Sequence, residues 1–211
     1  MGNIDDLIDK LAKDGTAVKP ALHPVLLSLE WIAIAVCYLA VALTISGIRS
    51  DLMARLHDAW FAAEIVSLVA IFIATSLSAA LLSFPDLHQM RRFALVPGIM
   101  FILFALVMYL SWQADNPPSQ PPMHSVECTL SITLLAILPA AWIFYAMRKF
   151  ASTHQYWAGS IALLSAFSVG ALWLRLYEQT DSIRHVVEWH YLPMIAVGIA
   201  GLWLGKMMLK W

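Results

Sequence analysis

The chain has 211 residues, of which 61% are hydrophobic, with a mean hydropathy of +0.73 and a formal net charge of −1. Soluble domains carry roughly 45–50% apolar residues, so an ordinary soluble fold is excluded. Each membrane crossing needs about 20 mainly apolar residues; six such stretches consume most of the chain and leave no piece large enough for a soluble core.

Residues 1–24 are the one segment of distinct polar character. Asn3 is a suitable N-cap, and Asp5 and Asp6 then fall in a first helical turn, where the helix dipole favours acids. Ile4, Leu7, Ile8 and Leu11 recur at i, i+3, i+4 and i+7, which predicts a short helix with one apolar face. Gly15 ends it, and Pro20 and Pro24 extend the chain toward the bilayer. A helix of about ten residues is marginal alone in water, so the apolar stripe needs something to lie against. Interfacial lipid helices favour Lys and Arg on the polar face, whereas this one leads with Asp. A protein partner with a basic, grooved surface suits it better than anionic lipid.

The rest of the chain, 25–211, reads as six spans near 26–48, 60–84, 94–112, 129–147, 157–176 and 189–209. The expected fold is an all-α bundle of six transmembrane helices preceded by a cytoplasmic amphipathic helix. The first apolar run starts after about 20 polar residues and exceeds the 7–15 of a signal-peptide core, so the first span is expected to stay as an anchor. Glu30 meets headgroup water at the inner end of that span and Cys37 fills apolar space within it. Residues 50–59 form a short mixed-charge helix on the membrane surface. Residues 113–127, with Pro117, Pro118, Pro121 and Pro122, are extended. Residues 178–188 are a polar return into the last span. Prolines 97, 139 and 193 interrupt spans three, four and six, and Gly198, Gly201 and Gly205 line the last for close packing. Trp and Tyr at the span ends form an interfacial belt.

Positive charge fixes the orientation. Lys10, Lys13, Lys19, Arg91, Arg92, Arg148, Lys149, Lys206 and Lys210 gather at one set of ends; the other set holds only Arg49, Arg55 and Arg184, with Arg175 inside a span. By the positive-inside rule both termini are cytoplasmic.

Ionisable residues inside spans are expensive in lipid and invite pairing or functional readings. Glu64, one turn into span two, and Arg175, near the outer end of span five, lie at matching depth and are expected to form an intramembrane ion pair. Acids, imidazoles and a thiol collect on the outer side: His57, Glu64, His124, Glu127, Cys128, Glu178, His185, Glu188 and His190. Of these, Cys128, Glu127, Glu178, His185, Glu188 and His190 are metal-capable donors in two short connections, a candidate site for a metal ion or an oxidant on the outer side. Solvated loop residues are the competing reading. Neither cysteine belongs to a CxxC pair.

Catalysis finds little support. There is no P-loop, GxSxG or HExxH, the spans contain no Asp pair for proteolysis, and no bound cofactor is expected. A small transporter or permease is harder to dismiss, because proline-broken helices can build substrate sites.

Two regions carry a resemblance: DDLIDKLAKD with VKP near the N-terminus, and the C-terminal half from ECTLSITLLAILPAAWIFYAMRKFAS through WAGSIALLSAFSVGALWLRLYEQTDSIRHVVEWHYLPM to GLWLGKMMLKW. Together they resemble the six-span anti-sigma factors of the NrsF-like (negative regulator of sigma-F) family, over nearly the whole length. The resemblance implies a multi-pass protein of the bacterial inner membrane that sequesters an extracytoplasmic-function sigma factor, with no direct nucleic-acid contact of its own. Asp5, Asp6, Leu7, Ile8 and Leu11 would be the sequestering element, and an envelope, metal or oxidative signal would release the factor. The family pattern often has a second outer cysteine after span five. Here the stretch reads Leu176-Tyr177-Glu178, so a disulfide between that position and Cys128 cannot form in this chain.

Overall fold

A computed structural model describes residues 4–15, 22–85, 92–114, 125–150 and 152–210, without the side chains of Asp5 and Ala94. Asn3, Lys19, Pro20, Arg91, the four prolines between 117 and 122, His124 and Trp211 lie outside the described residues. The structure is 84% helical, with no strand among the described residues. In chain order the elements are α1 (Ile4–Asp14), α2 (Pro24–Ser46), α3 (Leu52–Arg55), α4 (Ala59–Leu82), α5 (Val96–Ala114), α6 (Val126–Met147), α7 (Gln155–Tyr177) and α8 (Ile183–His185). A π-turn, Val186–Tyr191, then runs without a break into α9 (Leu192–Met208). Six helical segments of 19 to 26 residues are long and apolar enough to cross a membrane. At 1.5 Å per residue they reach about 28–39 Å, enough for a hydrocarbon layer of about 30 Å.

The packing is that of a protein whose solvent is lipid. Ile45, Val66, Ile102 and Leu138 are exposed, while Thr75, Ser76, Ser78, Ser165 and Ser168 are buried. The buried hydroxyls are satisfied: Thr75 donates to the Ile71 carbonyl, Ser168 to that of Leu164, and Ser76 and Ser165 bond each other at 2.9 Å. α7 is the central post, packed by α9, α6 and α4, and its sequence explains why. Ala158, Gly159, Ala162, Ala166, Gly170 and Ala171 keep its surface thin, which lets neighbouring backbones approach where apolar area alone gives no preference over lipid. A Cβ on Gly201 would stand 2.6 Å from the Ser160 Cα, and one on Gly170 2.5 Å from the Ile132 carbonyl oxygen. Ser160 Oγ closes the α7–α9 seam by donating to the Gly198 carbonyl at 2.8 Å.

The prolines act differently from the expectation of three broken helices. Pro97 sits in the first turn of α5, where no intrahelical donor is lost; Pro193 falls where the π-turn passes into α9, and the Trp189 carbonyl four residues before it accepts from Thr129 Oγ1 at 2.5 Å instead. Pro139 is mid-helix, and the hydrogen bond it removes is replaced in the same way: Tyr38 Oη donates to the Leu135 carbonyl at 2.9 Å.

Boundaries shift most at the end opposite the termini. The expected surface helix over 50–59 shrinks to the four residues of α3, because Arg49 turns inward and Asp58 caps α4 by accepting from the amides of Trp60 and Phe61. The last helical segment begins at Ile183, six residues before the expected span. Ile183, His185 and Val186 are buried rather than part of a polar loop.

Candidate functional site

Two adjoining groups of polar side chains occupy the end of the bundle opposite the termini. The first is a layer of charge. Arg175 on α7 faces Glu64 on α4 in a two-pronged ion pair, Nε to Oε1 at 2.6 Å and Nη2 to Oε2 at 2.8 Å. Both side chains are almost fully buried, and each makes one further hydrogen bond. Tyr191 Oη donates to Glu64 Oε1, and Arg175 Nη1 donates to the Thr180 carbonyl at 3.0 Å. Asp181, 3.8 Å from Arg175, extends the layer to Arg49 and Arg55. Arg49 in turn grips Asp51 through Nε at 2.7 Å and Nη2 at 2.9 Å. Three guanidiniums thus meet three carboxylates. The Phe61 ring lies against Arg49 and Arg175, with centroid distances of 5.4 and 5.0 Å. Burial pushes the Asp181 carboxyl up, but hydrogen bonds and charge from Arg49 and Arg55 outweigh it and hold it below the usual carboxylate range.

The second group is Cys128, Glu178, His185 and His190, one donor atom from each lying within 4.8 Å of all the others. Cys128 comes from the first turn of α6, Glu178 from the residue after α7, His185 from α8 and His190 from the π-turn. The thiol is 3.6 Å from Glu178 Oε2 and 3.6 Å from His185 Nε2. His190 Nε2 is 3.3 Å from Glu178 Oε2, and His185 Nε2 is 4.0 Å from Oε1. Ser125 Oγ lies 3.0 Å from the thiol. Burial works to raise the Glu178 carboxyl, yet the nearby His190 imidazole, with help from Thr180 and His185, brings it down to about 2.

The π-turn makes this convergence possible. Residues five apart are about 140° apart around an α-helix at 100° per residue. In a π-turn, with i→i+5 hydrogen bonds and more residues per turn, they come much closer to one face. His185 and His190 accordingly stand with ring centroids 5.3 Å apart. The next residue, Tyr191, points the other way along the turn, to Glu64, so the π-turn joins the two groups.

Not every residue singled out in the sequence arrives here. Glu127 is exposed. Glu188 pairs with Arg184 one turn away at 3.0 Å, and His57 lies on the surface against the Met53 carbonyl. Cys37 faces outward from α2. Sequence reasoning missed Asp181, Arg49, Asp51 and Tyr191. The signal available was two arginines, Arg49 and Arg55, and two acids, Asp51 and Asp181, in connections sharing one depth.

At the other end of the chain α1 forms as its periodicity predicts. Ile4, Leu7, Ile8 and Leu11 are 72%, 59%, 56% and 65% exposed, with Asp6 and Asp9 exposed beside them.

Six membrane-length helices around a small-residue post, with a buried ion-pair layer, define a polytopic α-helical membrane protein. The family model described as negative regulator of sigma F matches residues 11–211, and the chain belongs to that family. The match begins after Asp5, Asp6, Leu7 and Ile8, so of the proposed sequestering residues only Leu11 falls within it. No curated protein and no solved structure matches.

Proposed function

We propose that this chain is an anti-sigma factor of the bacterial inner membrane, with both termini in the cytoplasm, that holds an extracytoplasmic-function sigma factor through α1. The observation that carries the reading is the uncovered apolar stripe of α1, four large aliphatic side chains on a helix too short to be stable alone. Membership of a family of negative regulators of a sigma factor supports it. Asp6 and Asp9 beside the stripe, with Asp5 next in sequence, suit a basic, nucleic-acid-binding partner, while Leu and Ile fill a groove. The role is regulatory rather than enzymatic. Release follows when a signal outside the cytoplasm changes the group around Cys128 and so the packing of α6, α7 and α9. Such coupling requires two arrangements with different affinity for the partner.

The test is recovery of the sigma factor with the membrane-extracted protein. Asp6→Lys with Leu7→Asp removes one charge contact and one apolar anchor; losing an anchor costs binding about 2 kcal/mol or more, roughly thirtyfold. Recovery should fall and transcription from the target promoter rise while the membrane domain keeps its stability. Unchanged recovery removes α1 from the interface.

A further inference from the structure

We infer that Cys128, Glu178, His185 and His190 form a four-donor site for a borderline divalent cation of the zinc type, and that its occupancy is the signal the protein reads. The second half rests on the regulatory reading above; the first half stands without it.

Geometry carries the first half. A tetrahedral zinc site with Zn–S near 2.3 Å and Zn–N or Zn–O near 2.0–2.2 Å has donor–donor edges of about 3.4–3.6 Å. The thiol stands 3.6 Å from His185 Nε2 and 3.6 Å from Glu178 Oε2; His190 Nε2 is 3.3 Å from that same oxygen, and His185 Nε2 is 4.0 Å from the other, Oε1. No donor pair exceeds 4.8 Å, so closing on an ion requires movements of about 1 Å, within side-chain reach of four separate elements.

A second observation points the same way. His190 is completely buried, and neither of its ring nitrogens makes a hydrogen bond of ordinary geometry. A buried imidazole left in that state is unfavourable, and Nε2 is directed at the Glu178 carboxylate in the middle of the group. A cation between them would satisfy that nitrogen.

Charge and donor type select the ion. A thiolate and a carboxylate with two neutral imidazoles carry a charge of −2, which a divalent cation brings to zero in a site where Cys128 and His185 are buried. A monovalent soft ion such as Cu(I) would leave net charge and would want a second sulfur; at that position this chain has Glu178. Calcium and magnesium want oxygen-only shells. One sulfur, two nitrogens and one oxygen in tetrahedral array fit zinc, with cobalt(II) as its spectroscopic stand-in. Glu178 is the most exposed of the four, its side chain at 20%, and marks the side from which an ion enters.

Binding would also have a mechanical consequence. The ion would tie the start of α6 and the end of α7 to the π-turn, whose Tyr191 bonds Glu64 on α4.

The experiment uses the full chain, purified in detergent, stripped of metal and titrated with Zn2+ or Co2+. One ion per chain is expected. Cobalt should show tetrahedral visible bands and a thiolate charge-transfer band. Cys128→Ser should abolish the charge-transfer band, and His190→Ala should weaken binding 10- to 100-fold or more. Glu178→Cys should keep binding and roughly double the charge-transfer intensity, a gain that misfolding cannot mimic. Glu188→Gln, outside the group, should change nothing. Failure of the wild-type chain to bind at near-unit stoichiometry, or binding indifferent to both Cys128→Ser and His190→Ala, overturns the site. A bound ion that leaves sigma-factor recovery unchanged overturns the signal role and leaves the site. Loss of recovery in the α1 variant is read separately, so the two proposals fail independently.

Discussion

Removing Glu64 should be far more damaging than removing Glu64 and Arg175 together. In the Glu64→Leu variant the Arg175 guanidinium, 3% exposed, keeps its charge and loses both prongs of its main partner. Stranding one member of a buried pair costs about 3–5 kcal/mol, and Tyr191 Oη loses its acceptor as well, adding about 1 kcal/mol. Asp181 at 3.8 Å offers partial relief, so the total should lie near 4 kcal/mol. In the double variant Glu64→Leu with Arg175→Leu no charge is stranded. The Thr180 carbonyl and the Tyr191 hydroxyl remain unpaired, costing about 1–3 kcal/mol, partly offset by apolar packing. The double-mutant cycle should therefore return a coupling of about 2 kcal/mol or more between α4 and α7. Glu64→Gln, which loses the charge and one of the two acceptor atoms facing Arg175 but keeps the other, should fall between. The assay is reversible unfolding in mixed micelles followed by the fluorescence of the nine tryptophans. Equal destabilisation of single and double variants, or a cost below about 1 kcal/mol for the single, would refute the view that this pair is held by mutual charge compensation.

Gly201→Ala should destabilise the bundle by about 1–3 kcal/mol, because the added methyl meets the Ser160 backbone at 2.6 Å; Gly98→Ala, where a Cβ meets nothing within 4 Å, is the matched control in the same unfolding assay. Asp181 is held below the usual carboxylate range by Arg49 and Arg55, so its contribution is complete above its unfolded value near 3.9 and is lost as pH falls through the lower folded value. Thermal midpoints of wild type and Asp181→Asn, measured from pH 7 downward, should differ most above about pH 4 and converge below it; a gap that widens on acidification would contradict the sign.

Much of the fold was legible because one property decides it. In lipid a helix must satisfy its own backbone, so length and apolarity of each run suffice to place six helices within a few residues. The ladder of small residues on α7 and α9, and the inversion that buries serine and exposes isoleucine, also follow from that solvent. Boundaries failed where polar side chains are buried by one another. Residues 178–188 read as a solvated loop because His185, Arg184 and Glu188 are polar. In the structure Ile183 and Val186 bury apolar surface, and His185 turns toward Cys128 and Glu178, which makes helix the cheaper state from Ile183 onward.

The site was half legible for a related reason. Residue type and depth paired Glu64 with Arg175 and offered Cys128, Glu178, His185 and His190 together with Glu127 and Glu188, since outer-side groups in short connections share a level by construction. Depth does not determine azimuth. Whether His185 and His190 face one point depends on a π-turn, and a five-residue spacing argues against convergence on the α-helix that periodicity assumes. The same turn aims Tyr191 at Glu64, so one irregularity sets both the donor cluster and its connection to the ion-pair layer. Straightening it to an α-helix by deleting a residue between His185 and His190 would change the angle between the two imidazoles and release Tyr191 from Glu64 together. That linkage is why the charge layer and the donor cluster are best regarded as a single mechanical unit spanning α4, α6, α7 and α9.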